Sequence, residues 1–209
     1  MLLVGLTGSI GMGKSKSAEL FEAEGLPVYD ADASVHALYE KGGAAVAPLA
    51  DFFPEAIQDG AVDRTILGQL VLNDSEKLKK LESIVHPLAG QIQKEFLELQ
   101  EASGKQAVIL DIPLLLEKNA DGLVDVVVVV STNPEVQKKR VLERPGMTEE
   151  KFLSILSKQM PDSEKREKAD FVVDSTISVA DAHQQIKDII EKLDSFPARA
   201  LAVRKELMK

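Results

Sequence analysis

An apolar run followed directly by a glycine-rich octapeptide constrains this chain more than any other feature. Residues 2–7 read Leu-Leu-Val-Gly-Leu-Thr, and residues 8–15 read Gly-Ser-Ile-Gly-Met-Gly-Lys-Ser. The apolar run predicts a strand that is buried on both faces of a parallel sheet. The octapeptide matches G-x-x-x-x-G-K-[ST], the phosphate-binding P-loop, in the strand–loop–helix context that this motif requires. The sequence therefore predicts a site for ATP or GTP at this loop.

The residues of the loop suit a triphosphate with Mg²⁺. Its glycines leave room for phosphate oxygens, and its backbone N–H groups form an anion nest at the N-terminus of the next helix. Lys14 is expected to reach the β- and γ-phosphates, and the Ser15 hydroxyl is expected to bind Mg²⁺. A Rossmann site is disfavoured because the glycines do not read G-x-G-x-x-G. The predicted nucleotide-binding residues here are Gly8, Ser9, Ile10, Gly11, Met12, Gly13, Lys14, Ser15 and Lys16.

The composition is that of an ordinary globular protein, with 209 residues, 44% hydrophobic and 28% charged. Cysteine is absent, which excludes disulfides and thiolate metal sites. A net charge of −9 and 4% aromatic residues weigh against a nucleic-acid partner. The sequence shows neither a secretory signal nor an apolar run of about 20 residues, the length of a membrane helix. We therefore expect a cytoplasmic protein without a membrane partner and with no obligate protein partner evident.

Five apolar strand candidates alternate with helical patterns, which predicts a parallel sheet with helices on both faces. The strand candidates are residues 2–7, 26–29, 106–110, 124–131 and 169–174. Residues 34–102 read as helical and are too long for one crossover, so they predict a helical insertion. The breaks in its pattern fall at Gly42-Gly43, Phe53-Pro54, Asp59-Gly60, Asn73-Asp74 and His86-Pro87.

Acidic residues follow the second and third strand candidates, where α/β sheets gather their ligands. Asp30 and Asp32 are placed for chemistry facing the γ-phosphate, although Asp30 would also suit a helix cap. Asp111 ends an apolar strand, as a Walker-B aspartate does, and is predicted to hold Mg²⁺ directly or through water. Glu117 either faces the substrate or is a solvated helix residue. His86 before Pro87 is either a structural corner or a functional residue.

Basic residues mark the helix that Asn133-Pro134 opens. Arg140 and Arg144 are one helical turn apart, so both are predicted to point at one anion, unless they serve only the helix dipole. In a phosphoryl-transfer enzyme this arrangement is expected of a lid that closes over the phosphates. Residues 165–168, Lys-Arg-Glu-Lys, by themselves predict a solvated face.

The motifs around the P-loop separate three classes of protein. A GTPase requires D-x-x-G and N-K-x-D, and a transporter ATPase requires a signature such as L-S-G-G-Q; the sequence has none of these. A small-molecule kinase needs an acceptor-binding insertion, a carboxylate at the transfer point and a basic lid, and each has a candidate. The predicted fold is α/β, a three-layer P-loop NTPase core with a five-stranded parallel sheet, a helical acceptor-binding insertion and a helical lid.

The predicted boundaries follow from this reading. The core comprises residues 1–33, 106–135 and 165–209, the acceptor-binding insertion residues 34–105, and the lid residues 136–164. Another nucleoside or nucleotide kinase, or an ATP-binding regulatory module without transfer activity, remains an alternative.

The chain resembles the dephospho-coenzyme A kinase family from residue 2 to about residue 175. Beyond the P-loop, the resemblance is carried by several motifs in the family's order. These motifs are Asp30-Ala31-Asp32, Leu81-Glu82-x-Ile84-Val85-His86-Pro87, Asp111-Ile112-Pro113-Leu114-Leu115-x-Glu117, Gln137-x-x-Arg140, Gln159-Met160-Pro161 with Glu164-Lys165, and Ala169-Asp170-Phe171-Val172-Val173-Asp174. Three positions depart from the family's pattern: Lys16 stands where many members have a second hydroxyl residue, Pro145 where many have Asp, and Ser175 where many have Asn.

The resemblance implies transfer of the ATP γ-phosphoryl group to the ribose 3′-hydroxyl of dephospho-coenzyme A, the last step of coenzyme A biosynthesis, with Mg²⁺. Asp32 matches the residue that receives the hydroxyl proton, and Lys14 and Arg140 are the other catalytic candidates, with Arg144 assisting at the nucleotide. The implied substrate-binding residues are Asp30, Asp32, His86, Pro87, Asp111, Pro113, Leu114 and Glu117.

Overall fold

The structure is a computed structural model that describes residues 1–207. The chain divides into two compact units. The first, here called the core unit, contains residues 1–28 and the chain from residue 100 onward, and the second, here called the insertion unit, contains residues 29–99. Among residues 1–207, no helix combines the length and the apolar character needed to cross a membrane.

Five strands form a parallel sheet with the order β2-β5-β1-β6-β7, and two short strands form a separate antiparallel hairpin, β3-β4. The strands are β1 Leu2–Thr7, β2 Val28–Asp30, β3 Ile57–Gln58, β4 Ala61–Val62, β5 Ala107–Asp111, β6 Val126–Ser131 and β7 Phe171–Asp174. The predicted five-stranded parallel sheet is therefore confirmed. The strand candidates are correct to within about two residues at each end.

Ten α-helices occur in the described residues. They are α1 Lys14–Ala23, α2 Ala31–Tyr39, α3 Val46–Ala50, α4 Arg64–Val71, α5 Ser75–Ala102, α6 Pro134–Leu142, α7 Glu149–Leu156, α8 Asp162–Glu167, α9 Val179–Ile190 and α10 Ala200–Leu207. The sequence predicted a last helix through residue 209, and its two final residues lie outside the described part of the chain.

The central strands are buried on both faces, as their composition requires. All six residues of β1 and of β6 are buried, and β6 consists of five valines and a serine. Phe21 of α1 and Ile186 of α9 pack with these strands in one hydrophobic core. The register pairs Leu6 of β1 with Asp111 of β5, which places the end of β5 beside the start of the P-loop.

The insertion unit has its own hydrophobic core, and it is not purely helical. Leu49, Phe53, Leu67 and Val85 belong to this core. The prediction of an all-helical insertion was incomplete, because residues 57–62 form the hairpin β3-β4. Its turn is Asp59-Gly60, with φ values of 51° and 81°, the backbone that a two-residue type I′ turn demands. Strands of two residues each are too short to show an alternating pattern.

The predicted break at His86-Pro87 was wrong, because both residues lie inside α5, a continuous helix of 28 residues. A proline inside a helix lacks one N–H donor and costs about 3 kcal/mol. The helix continues because apolar residues on both sides of Pro87 hold it in the core of the insertion unit. Those residues are Leu81, Ile84, Val85, Leu88, Ala89 and Ile92.

Candidate functional site

The P-loop packs closely against the ends of strand β6 and helix α6. Gly13 has a φ of 93° and caps α1, so that the loop turns directly into this helix. A Cβ atom on Gly8 would lie 2.7 Å from the Val130 carbonyl oxygen, and one on Gly11 would lie 2.5 Å from Val141 Cγ2. Side chains at these positions would push β6 and α6 away. The glycines are therefore needed for close packing as well as for backbone freedom.

Lys14 and Asp111 form an ion pair across the ends of β1 and β5. Asp111 is only 2% exposed, so its carboxylate is held close to the loop. Ser15, in the first turn of α1, is exposed. A serine hydroxyl and a carboxylate are hard oxygen donors of the kind that Mg²⁺ prefers, so these residues fit the metal that the motif implies. The described residues contain no group of three or more acidic or histidine side chains that would bind a metal by themselves.

The first turn of α1 is suited to anions. It carries Lys14 and Lys16, and no residue of this turn is acidic. The helix dipole and the free N–H groups at such an N-terminus favour a phosphate. The loop thus combines a positive helix end with two lysines, as the sequence predicted.

Arg140 lies at the far side of the loop and is fixed by Ser175. Its Nη1 donates to Ser175 Oγ and its Nη2 donates to the Ser175 carbonyl, both at 2.8 Å. Ser175 Oγ in turn donates to the Met12 carbonyl at 2.7 Å. Ser175 therefore connects the arginine of α6 to the P-loop. The only sign of this role in the sequence was the departure from the family's usual Asn at this position.

Arg144 is not part of α6 in this structure. The helix ends at Leu142, and Arg144 lies beyond it with an exposed side chain. The prediction that both arginines project from one helix was therefore wrong. The Pro145-Gly146 stop takes effect before a further helical turn is completed, which leaves Arg140 alone on α6.

Two glutamines hold the backbone of the P-loop. Gln137 Nε2 donates to the Ile10 carbonyl at 2.8 Å, and the Ile10 N–H donates to Gln159 Oε1 at 3.0 Å. Sequence reasoning gave neither glutamine a role, although both lie in motifs that carried the family resemblance. Ser9 Oγ is buried without a hydrogen-bond partner among the described residues.

Glu117 forms a buried ion pair with Lys165. Glu117 Oε1 lies 2.8 Å from Lys165 Nζ and accepts from the Met160 N–H at 3.0 Å. Burial raises the pKa of Glu117, but the Lys165 ammonium and the Met160 N–H outweigh it, and the pKa is below its usual range. Lys165 is fully buried, so the prediction of a solvated face at residues 165–168 was wrong for this residue. The charge pattern could not reveal a partner 48 positions away.

Pro113 and Leu114 follow the end of β5. The Pro113 carbonyl accepts from Thr7 Oγ1 at 3.0 Å, which ties this turn to the end of β1. Leu114 is exposed. Both residues therefore lie beside the loop, on the side of the sheet where β5 ends.

The insertion unit holds the remaining predicted residues. Asp30 caps α2, because its Oδ1 accepts from the Ala33 N–H at 2.9 Å. Asp32 lies in the first turn of α2 with its side chain exposed. His86 and Pro87 are exposed on α5. The carboxylate of Asp32 and the ring of His86 are thus available to a ligand.

A pocket of about 320 Å³ adjoins the P-loop in the core unit. Gly13 and Ser17 line it on the side of α1, and Arg140, Ser175 and Val179 line the opposite side. The guanidinium of Arg140 and the apolar side chain of Val179 give this pocket both a planar cation and an apolar surface. Such a pocket suits a flat heteroaromatic ring next to a phosphate chain.

Comparison with known proteins gives one consistent family. The family model described as dephospho-CoA kinase matches residues 2–181. The chain is 49% identical over 199 residues to a dephospho-CoA kinase of Rhodopseudomonas palustris strain HaA2, covering 95% of this chain and 99% of the relative. It is 52% identical to a dephospho-CoA kinase of Agrobacterium fabrum, covering 92% of this chain and 98% of the relative.

Two solved structures are similar to this one over most of their length. The structure is similar to that of TT1252 from Thermus thermophilus, with a TM-score of 0.78 and 36% identity over 92% of this chain and 97% of that chain. It is also similar to a dephospho-CoA kinase from Campylobacter jejuni, with a TM-score of 0.63 and 28% identity over 91% of this chain and 96% of that chain.

Proposed function

This chain belongs to the dephospho-CoA kinase family, and from that premise we propose which of its residues carry the reaction. The family's activity is the final step of coenzyme A biosynthesis: the γ-phosphoryl group of ATP passes to the ribose 3′-hydroxyl of dephospho-CoA, giving coenzyme A and ADP. The observation that carries our assignment is the junction of β1 and β5, where Lys14 of the P-loop meets Asp111.

On the donor side, we propose that the P-loop amides and Lys14 bind the β- and γ-phosphates. Lys14 then exchanges its contact with Asp111 for the phosphate oxygens. The exchange is supported by the exposed, basic first turn of α1, where the helix dipole favours an anion. Both before and after ATP binding, the lysine has an anionic partner.

Mg²⁺ is the metal we propose for this site, with Ser15 and Asp111 as its protein ligands, Asp111 acting directly or through water. When bound, Mg²⁺ supplies positive charge to the β- and γ-phosphates. Two protein ligands are sufficient for this ion, which keeps several waters and binds substrate phosphates as its other ligands.

On the acceptor side, we propose Asp32 as the residue that orients the 3′-hydroxyl and takes its proton. Its exposed position at the N-terminus of α2 leaves the carboxylate available to the substrate. A loose transition state asks little of a base, so positioning contributes most of the effect. Asp30, His86, Pro87, Pro113, Leu114 and Glu117 complete the proposed acceptor-binding set.

The pocket beside Gly13 is where we propose that the nucleoside end of ATP binds. It adjoins the loop that binds the phosphates, and Ser17 and Arg140 line it. Arg140 would then contact both the ring side of the nucleotide and its phosphates, with Arg144 approaching when residues 136–164 close as a lid. Ser175 takes part because it fixes the guanidinium of Arg140.

The division of labour along the chain also remains a proposal. Residues 34–105 would bind the acceptor, residues 136–164 would form the lid, and residues 1–33, 106–135 and 165–209 would form the nucleotide-binding core. The net charge of −9 weighs against a nucleic-acid partner. We propose a cytoplasmic enzyme with neither a membrane partner nor an obligate protein partner.

An ADP-release assay tests the function directly. The enzyme is supplied with ATP and Mg²⁺ and with dephospho-CoA, nucleosides, nucleoside monophosphates or no acceptor. We expect acceptor-dependent ADP release with dephospho-CoA, together with formation of coenzyme A. A response only to nucleosides or monophosphates would indicate a different kinase, and hydrolysis without any acceptor would favour a regulatory ATP-binding module.

A further inference from the structure

One residue of the P-loop, Ile10, is held through both its backbone N–H and its carbonyl by side chains that are remote in sequence. The Ile10 carbonyl accepts from Gln137, 127 residues away, and the Ile10 N–H donates to Gln159, 149 residues away. We call this arrangement, of Gln137, Gln159 and the backbone of Ile10, the glutamine clamp. Both hydrogen-bonding groups of one loop residue thus depend on tertiary structure.

The clamp is built on firmly packed elements. Gln137 is 4% exposed and lies on α6, which approaches the loop so closely that a Cβ on Gly11 would be 3.1 Å from the Gln137 carbonyl oxygen. Gln159 is followed by Met160, whose N–H donates to Glu117. Glu117 is in turn paired with the buried Lys165. The backbone beside each glutamine is therefore anchored by contacts of its own.

The direction of each hydrogen bond fixes the chemistry that each position needs. A backbone carbonyl only accepts and a backbone N–H only donates, so position 137 must donate and position 159 must accept. Glutamine can do both, but its charged analogue glutamate can only accept. The two positions are therefore chemically distinguishable by one and the same substitution.

We propose that Gln137 and Gln159 are positioning residues that order the P-loop for ATP before the nucleotide binds. The proposal rests on the proposed function only in that the loop binds ATP. If the two peptide groups on either side of the Ile10 Cα are free to rotate, the neighbouring loop amides lose the orientation that a phosphate requires, and ATP binding must then supply that order. Neither glutamine touches the reacting atoms in this account.

Matched substitutions test the proposal. Gln137→Glu places a carboxylate against the Ile10 carbonyl, whereas Gln159→Glu keeps an acceptor for the Ile10 N–H. Both variants add the same charge beside the same residue, Ile10, so their difference reports the polarity of the hydrogen bond. At pH 8 we expect Gln137→Glu to raise the Kd for ATP about 10-fold relative to Gln159→Glu, the size of one hydrogen bond lost to an unpaired group. The KM for dephospho-CoA should stay within about twofold.

The pH dependence of ATP affinity is a further test, because a merely structural role of Gln137 would not make the affinity of Gln137→Glu depend on pH. On lowering the pH, the carboxyl group introduced by Gln137→Glu gains a proton and becomes a donor to the Ile10 carbonyl. We therefore expect its ATP affinity to recover towards that of Gln159→Glu. Equal ATP affinities for the two variants at pH 8, both folded by circular dichroism, would overturn the proposal.

A second comparison tests the proposal even if the Gln137→Glu protein does not fold. Gln159→Met removes the acceptor with little change in volume and no change in charge, so we expect it to weaken ATP binding about 5-fold relative to the wild type. Equal ATP binding by Gln159→Met and the wild type also overturns the proposal. Because the measurement is ATP binding, it gives a result even if the wild-type enzyme fails to phosphorylate dephospho-CoA, which would instead overturn the acceptor assignment.

Discussion

Lys14 and Asp111 are joined in an ion pair that links the P-loop to the end of the neighbouring strand β5. The carboxylate is almost completely buried, and the lysine is the more accessible partner. The pair keeps the lysine beside the loop, and an incoming triphosphate must compete with Asp111 for it. Substitution of Asp111 is therefore expected to have one effect on ATP binding and an opposite one on catalysis with Mg²⁺.

Asp111→Asn should separate these two effects. Without Mg²⁺, the variant should bind ATP more tightly than the wild type, because Lys14 no longer leaves a carboxylate. With Mg²⁺, kcat should fall about 100-fold and the Mg²⁺ concentration for half-maximal activity should rise, because a ligand of the metal is lost. ATP titrations in EDTA and Mg²⁺ titrations of ADP release measure both. Unchanged Mg²⁺ dependence would contradict the role of Asp111 as a ligand.

Asp32→Asn should lower kcat by about 10²–10⁴, the range of general acid–base assistance, because the amide cannot take the hydroxyl proton. The Kd for ATP should stay close to the wild-type value. Asp30→Asn is the matched control, since asparagine also caps α2. We expect this variant to raise mainly the KM for dephospho-CoA. Steady-state kinetics with both substrates measure these parameters, and near-normal turnover of Asp32→Asn would exclude it as the base.

Arg140→Lys should raise the Kd for ATP about 10-fold, because an ammonium cannot bind both oxygen atoms of Ser175 as the planar guanidinium does. Ser175→Ala should give a smaller rise, since the Ser175 carbonyl remains as one partner of Arg140. Calorimetry of ATP binding to both variants shows which substitution raises the Kd more. If Ser175→Ala is the more damaging change, the arginine is not the main contact.

Glu117→Gln should reduce stability in a pH-dependent way. At pH 7 the free energy of unfolding should fall by about 3 kcal/mol, because Lys165 is left buried without its charged partner. The pKa of Glu117 is lowered in the folded protein, so its contribution is present above the unfolded pKa of about 4.3 and is lost as the pH falls through the folded value.

Urea unfolding of the wild type and of Glu117→Gln at several pH values measures this difference. The two stability curves should approach each other below about pH 4.3. Glu76→Gln is the control, because the pair of Glu76 with Lys79 is exposed and contributes little. A difference between wild type and Glu117→Gln that stays constant down to the lowest pH would mean that the ion pair is not its source.

Local patterns were sufficient wherever the structure follows from neighbouring residues. The glycines and Lys14 identify the loop, and the five valines of β6 identify a central strand. At Pro87 the local pattern failed, because a proline signals a break while apolar residues on both sides bind the helix to a core. The sequence reveals the free-energy cost of a proline inside a helix, and tertiary packing decides whether the helix continues in spite of that cost.

The sequence by itself determined the P-loop motif, the parallel sheet and the family, since each depends on short motifs or on runs of apolar residues. The tertiary structure alone decided the partners of the buried polar groups: Lys165 with Glu117, Arg140 with Ser175, and Gln137 and Gln159 with Ile10. A hydrogen bond or ion pair depends on distance and direction in space. Residues 35 to 149 positions apart leave no periodic trace of such a contact in the chain.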